Sequence, residues 1–112
     1  MKRSAAAMRR WRANLHGVAL AAALGLLPSA GNAADVIRGG EIYRANCANC
    51  HGPNGRPVLP TAPDFSRQER LLQPDPMLLQ SVRNGRGAMP AFQGILRDRE
   101  ILDVIAYLRT LR

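Results

Sequence analysis

Cys47-Ala48-Asn49-Cys50-His51 decides the reading of this chain. Two thiols three positions apart, with an imidazole directly after the second, form the C-x-x-C-H pattern of haem c attachment. On a single helical turn Cys47 and Cys50 lie on one face, from which each sulfur can add across one vinyl group of a haem. His51 then falls under the ring, where a neutral imidazole nitrogen can ligate the iron. The pattern predicts one covalently bound haem c with its iron.

Other chemistries fit these residues less well. A closed structural zinc site wants four nitrogen or sulfur ligands. The chain has two cysteines and two histidines, and His16 lies in the N-terminal leader, which leaves three. A thioredoxin-like dithiol expects a βαβ setting, and none is visible here. A disulfide across two intervening residues closes too small a loop to stabilise much. A haem-free dithiol is the alternative that stays open.

The leader occupies residues 1–33. Its head carries Lys2, Arg3, Arg9, Arg10 and Arg12 without an acid, residues 18–27 are apolar, and Pro28 precedes Ser29-Ala30-Gly31-Asn32-Ala33-Ala34. Basic head, apolar middle and small-residue end make a cleavable signal peptide. The apolar run falls short of the ~20 residues that span a bilayer, so no permanent membrane span is expected. Cleavage is read after Ala33, with Ala34 nearly as good. Arg9-Arg10 hints at a twin-arginine signal, but Arg12 stands where that signal wants an apolar residue.

The charge balance changes with the leader gone. The whole chain is +8, and five of its sixteen basic residues lie in the leader, leaving eleven arginines against eight acids and a net charge of +3. A mildly basic surface favours partners with acidic docking surfaces. Nucleic acid is not indicated, because no basic run is interleaved with aromatics. Residues 34–112 make one domain of seventy-nine residues. A chain of this size builds only a marginal core and needs a staple, which a haem supplies.

Within that domain three segments read as helices and none as a strand. The first spans about 36–45, with Ile37, Ile42 and Tyr43 near the haem motif, and tolerates Gly39-Gly40 only if another element approaches its backbone closely. The second spans about 76–84, with Asp75 as cap, Pro76 in its first turn and Gly85 at its end. In the third, about 99–111, Ile101, Val104, Ile105, Leu108 and Leu111 recur at amphipathic spacing. Residues 52–63 hold Pro53, Pro57, Pro60 and Pro63, a density that excludes helix and reads as an ordered wrap.

A second iron ligand is expected in Gly87-Ala88-Met89-Pro90-Ala91-Phe92. Methionine is a soft thioether ligand, and a His/Met pair raises the reduction potential of haem. Met89 is the candidate, stiffened by Pro90. Core filling is the competing role for any methionine. Met77 is the rival ligand, but it stands among leucines in a helix.

On these residues the chain resembles the class I cytochromes c, above all the small single-haem domains of bacterial periplasmic cytochromes and of the cbb3-type oxidase cytochrome subunits. The likeness runs through Gly40-Glu41-Ile42-Tyr43, Cys47 to Gly52, the Met89 loop and Asp103-Val104-Ile105-Ala106-Tyr107-Leu108, covering nearly all of residues 36–111. It implies an all-α class I cytochrome c fold, three main helices wrapped around a covalent haem. Gly40 would sit where the first and last helices cross, against Tyr107. The Pro63 carbonyl, or that of Pro60, would bond the other ring nitrogen of His51. Phe65 and Phe92 would pack on or near the haem, or serve as plain core aromatics.

Two departures from the family pattern stand out. Arg97 occupies the position where the last helix often has a Ser or Thr cap, so Asp98 is an alternative cap. No tryptophan or lysine remains near the haem edge, which leaves Arg56, Arg67 and Arg86 as partners for the propionates.

The resemblance implies a monomeric periplasmic electron carrier and not an enzyme. It would accept electrons from a dehydrogenase or quinol-oxidising complex and pass them to a terminal oxidase or reductase. The alternatives are a dedicated haem subunit of one oxidoreductase complex, and a five-coordinate haem enzyme or gas sensor.

Overall fold

The computed structural model describes residues 31–112. The expected signal peptide lies outside them except for residues 31–33. The described residues form helices and loops without a strand; two isolated bridges, Arg86 with Met89 and Gln93 with Leu96, close turns.

Helix α1 spans Val36–Asn46 and is capped by Asp35, whose carboxylate accepts the Arg38 backbone N–H at 3.0 Å. One residue later the chain turns again as α2, Ala48–His51. Gly52 ends that turn at φ +78, where a Cβ would collide with the Arg56 carbonyl. The wrap follows, tied back by Val58 N–H to the Cys50 carbonyl at 2.9 Å. It leads into a short 3₁₀ turn, Phe65–Arg67, that the proline-rich context had concealed.

Helix α3 spans Asp75–Asn84. Asp75 is not its cap: Pro74, fixed in an extended conformation, takes that position and moves Asp75 into the first turn. There its carboxylate pairs with Arg109 at 2.6 Å, and the same guanidinium donates to the Leu71 and Gln73 carbonyls.

Helix α4 spans Asp98–Leu108 and ends three residues earlier than its apolar spacing suggests. Thr110 and Leu111 bond back to Tyr107 and Leu108 in a tighter turn, and Leu111 still packs on the core. Arg97, not Asp98, holds the cap position. It has no acceptor to offer, so Glu100 supplies the bond by taking the Arg97 backbone N–H at 3.0 Å.

Helix α4 packs chiefly on α1, and the crossing is close because of two glycines. A Cβ at Gly39 would overlap the Asp103 carbonyl, and one at Gly40 would come 2.9 Å from the Tyr107 ring. Around this crossing Ile42, Tyr43, Phe65, Leu71, Val104 and Leu108 form the core. Buried Asp103 accepts the Asp35 backbone N–H at 2.8 Å and pairs with Arg99, fastening the start of α1 to α4. Ile37, expected beside the haem motif, instead faces solvent and is 79% exposed, because the α1 face turned to α4 is spent on the glycines, Ile42 and Tyr43.

Gly39→Ala forces α1 and α4 apart and should destabilise the fold by about 2–3 kcal/mol, the scale of overpacking a filled interior; denaturant midpoints of the two proteins check this. Glu100 gives a pH signature. Bonds from Arg97 first, then from Arg38, hold its carboxyl down at about 2. A lowered folded-state value stabilises above the ordinary carboxylate range and is lost as pH falls through about 2. Glu100→Gln should therefore flatten the acid limb of the stability profile while matching the decline of the unaltered protein elsewhere.

Candidate haem site

The loop after α1 brings both thiols and the imidazole to one cleft. Cys47, Cys50 and His51 line it from α2, Pro63 and Phe65 from the wrap and 3₁₀ turn, and Met89 and Phe92 from the loop after α3. The cleft encloses about 360 Å³, and Leu71, Leu78, Val82, Val104 and Ile105 make most of its wall apolar. All seven residues expected at the site therefore meet there. The rivals do not: neither Met77 nor Pro60 lines the cleft.

His51 is held from several directions. Its ring stacks on Phe65 with centroids 4.7 Å apart and planes 21° from parallel. Burial pushes the imidazole below the usual histidine range, against the opposing pull of the Pro63 carbonyl, so the ring is neutral at pH 7. Nδ1 is buried without a hydrogen-bond partner among the described residues. The Pro63 carbonyl thus acts on the ring electrostatically without reaching bonding geometry. A neutral imidazole in an apolar cleft suits metal ligation.

Tyr43 is the contributor that sequence reading missed. Its ring is fully buried, and its hydroxyl donates to the Gly52 carbonyl at 2.6 Å and the His51 carbonyl at 3.2 Å. Those bonds fix the end of α2, and so the backbone that carries His51. Burial foremost pushes the phenol up to about 12, so it stays a donor. Nothing local announces this role, because the hydroxyl reaches across eight and nine residues.

The methionine loop is braced equally firmly. Arg86 and Met89 exchange both backbone bonds at 3.0 Å around Gly87, whose φ of +57 suits the first central position of a tight hairpin turn. Phe92 N–H returns to the Val82 carbonyl at 3.1 Å. Gly85, at φ +72, leaves room for the loop: a Cβ there would come 2.7 Å from the Met89 carbonyl.

The thiols do not resemble an activated redox pair. Burial, then Cys50, pushes Cys47 up to about 11, whereas reactive C-x-x-C cysteines are shifted down. Among the described residues no group of three or more His, Cys, Asp and Glu side chains could hold a metal ion by itself. An apolar cleft with two thiols, a neutral imidazole carrying an orphaned nitrogen, and a thioether fits a haem and not a bare ion.

Comparison with known proteins agrees. Residues 34–108 match the family described as cytochrome c oxidase, cbb3-type, subunit III. The chain belongs to the cytochrome c family. It is 37% identical over 95 residues to the cytochrome c6 of Thermosynechococcus vestitus, covering 81% of this chain and 82% of that protein. Against the cytochrome c6 of a Nostoc species it is 37% identical over 78 residues, with 68% and 70% covered. The solved structure of cytochrome c6 from the diatom Phaeodactylum tricornutum superposes with a TM-score of 0.58 at 34% identity, over 68% of this chain and 92% of that one. This cytochrome holds one covalently attached haem c with its iron, and it is a monohaem electron carrier, not an enzyme. Among the described residues no helix is long and apolar enough to cross a membrane.

Tyr43→Phe removes the buried hydroxyl and leaves two carbonyls short of a donor. It should destabilise the haem-bearing protein by about 1–3 kcal/mol, read as a lower thermal midpoint, while the covalent haem stain on a denaturing gel persists.

Proposed function

We propose that this cytochrome is a periplasmic carrier in which Cys47 and Cys50 attach the haem and His51 and Met89 are the two axial ligands. The observation that carries this reading is a single apolar cleft lined at once by both thiols, the neutral imidazole and the braced thioether. When bound there, the haem supplies a one-electron redox centre of raised potential. With His51 and Met89 both holding the iron, no site on it would remain for substrate, which suits electron transfer and not bond-making. Phe65 stacks on His51 and supports the imidazole plane, and the Pro63 carbonyl would tune the ring. Phe92, buried against the cleft, helps exclude water.

The donor is read as a dehydrogenase or quinol-oxidising complex and the acceptor as a terminal oxidase or reductase in a respiratory chain. A net charge of +3 over residues 34–112 supports docking on acidic surfaces. Such redox contacts are small and transient, in keeping with a monomer released from its signal peptide. The family description supports a second reading, a haem subunit committed to one oxidase complex. Oxidation by several purified partners, each with its own salt dependence, favours the shuttle; oxidation by one alone favours the subunit.

The ligand assignment is tested on the matured protein by oxidised and reduced optical spectra beside Met89→Ala. A low-spin haem should show a sulfur-to-iron charge-transfer band that the variant loses, with a lower reduction potential. A high-spin haem unaltered by the substitution contradicts it.

A further inference from the structure

Resting on the signal-peptide reading above, we propose that Arg99 and Asp103 of α4 form a docking site for the chain's own processing segment, residues 32–35, and that folding thereby closes the bond between Ala33 and Ala34 to a leader peptidase. All three nitrogens of the Arg99 guanidinium are engaged. Nη1 donates to the Asn32 carbonyl at 2.5 Å, Nη2 donates to the Ala33 carbonyl, and Nε lies 3.3 Å from the Asp103 carboxylate. The Ala33 carbonyl belongs to the very bond that leader removal breaks. Asp103 is 3% exposed and accepts the Asp35 N–H at 2.8 Å. Four residues apart, the two side chains share one face of α4 and present a donor and an acceptor to the segment's backbone.

The chain beyond the bond is fixed as well. Helix α1 begins at Val36, and Asp35 before it is tied through its N–H, its carbonyl and its carboxylate. The N–H goes to Asp103, the carbonyl accepts the Gly39 N–H at 2.9 Å, and the carboxylate accepts the Arg38 N–H at 3.0 Å. Ala34 alone stands between the scissile carbonyl and this anchored residue. One residue reaches at most about 3.6 Å, too little slack to lift the bond clear of α4. The neighbouring bond after Ala34 is held from its other side, because its N–H is the one that Asp103 accepts.

A peptidase takes its substrate as an extended stretch, pairing backbone N–H and C=O groups along a strand edge. In the folded domain the Asn32 and Ala33 carbonyls and the Asp35 N–H are already taken, and the residues from 36 onward are helical. Cleavage adds water across the peptide bond and leaves a carboxylate on Ala33 and an ammonium on Ala34. It therefore belongs before the start of α1 packs on α4, and a precursor that folds first is withheld from processing.

The test uses full-length, haem-bearing precursor, purified in detergent from cells depleted of leader peptidase and then given the purified enzyme. Cleavage follows the population of the open form. Arg99→Gln should be processed about fivefold faster than the unaltered precursor, the worth of one ordinary hydrogen bond. A variant with four added residues, Gly-Ser-Gly-Ser, between Ala34 and Asp35 should be faster still, with Arg99 and Asp103 intact. Arg83→Gln, which breaks the pair with Asp98 elsewhere on α4, should match the unaltered precursor. Equal rates for the unaltered and spacer precursors overturn the proposal, as does Arg99→Gln cut no faster than the unaltered chain. So does an Arg99→Gln gain that a broad-specificity protease reproduces within residues 36–112, which would mark general unfolding. A spacer variant left uncut, or an intact mass placing the new N-terminus at neither Ala34 nor Asp35, overturns the signal-peptide reading itself.

Discussion

The close crossing of α1 and α4 at Gly39 and Gly40 is the constraint on which the rest depends. With no side chain at either position, the backbone of α1 lies against the Asp103 carbonyl and the Tyr107 ring. That approach buries Tyr43, tilted against Tyr107 with centroids 5.4 Å apart, and aims its hydroxyl at the end of α2. The haem-attachment turn is therefore positioned by Tyr43 of that helix pair, whose carbonyl accepts the Cys47 N–H at 2.8 Å and whose hydroxyl bonds the end of α2. Glycine inside a helix is ordinarily destabilising; here it is the condition for the crossing.

Around that frame the cleft is built from separately braced pieces. The wrap is anchored to Cys50, Phe65 supports the imidazole from its far face, and the Met89 loop is tied to α3 through Val82 and Arg83. Each brace is a backbone bond or a stacked ring, and each leaves the functional atom itself unbonded. Such an arrangement suits electron transfer, in which the ligand geometry should change little between oxidation states. Arg109 adds a clamp between the end of α4 and the start of α3, so the two sides of the cleft are held at a fixed spacing.

Much of this was legible in the chain because the signals were local. The C-x-x-C-H spacing, the apolar period of α4 and the proline-to-glycine bounds of α3 each act within a few residues. Gly40 against Tyr107 was also anticipated, through family resemblance. What escaped reading depends on distance. The Tyr43 hydroxyl, reaching across eight and nine residues, and the Arg109 clamp between the end of α4 and α3 both lie beyond any local pattern. The cap of α4 was obscured for another reason: Arg97 cannot accept a bond, and the reciprocal one from Glu100 holds the start instead. Ile37 was misplaced because hydrophobicity alone does not say which face of a short helix the glycines claim.

Everything in the cleft turns on Cys47 and Cys50 serving as covalent attachment points for the haem. Intact mass measurement of the purified, denatured mature protein, followed by thiol alkylation, tests it most directly. A polypeptide carrying the added mass of one haem and no alkylatable thiol is the expected result. A bare polypeptide mass with two alkylated cysteines would contradict it and return the chain to the thiol-redox alternative.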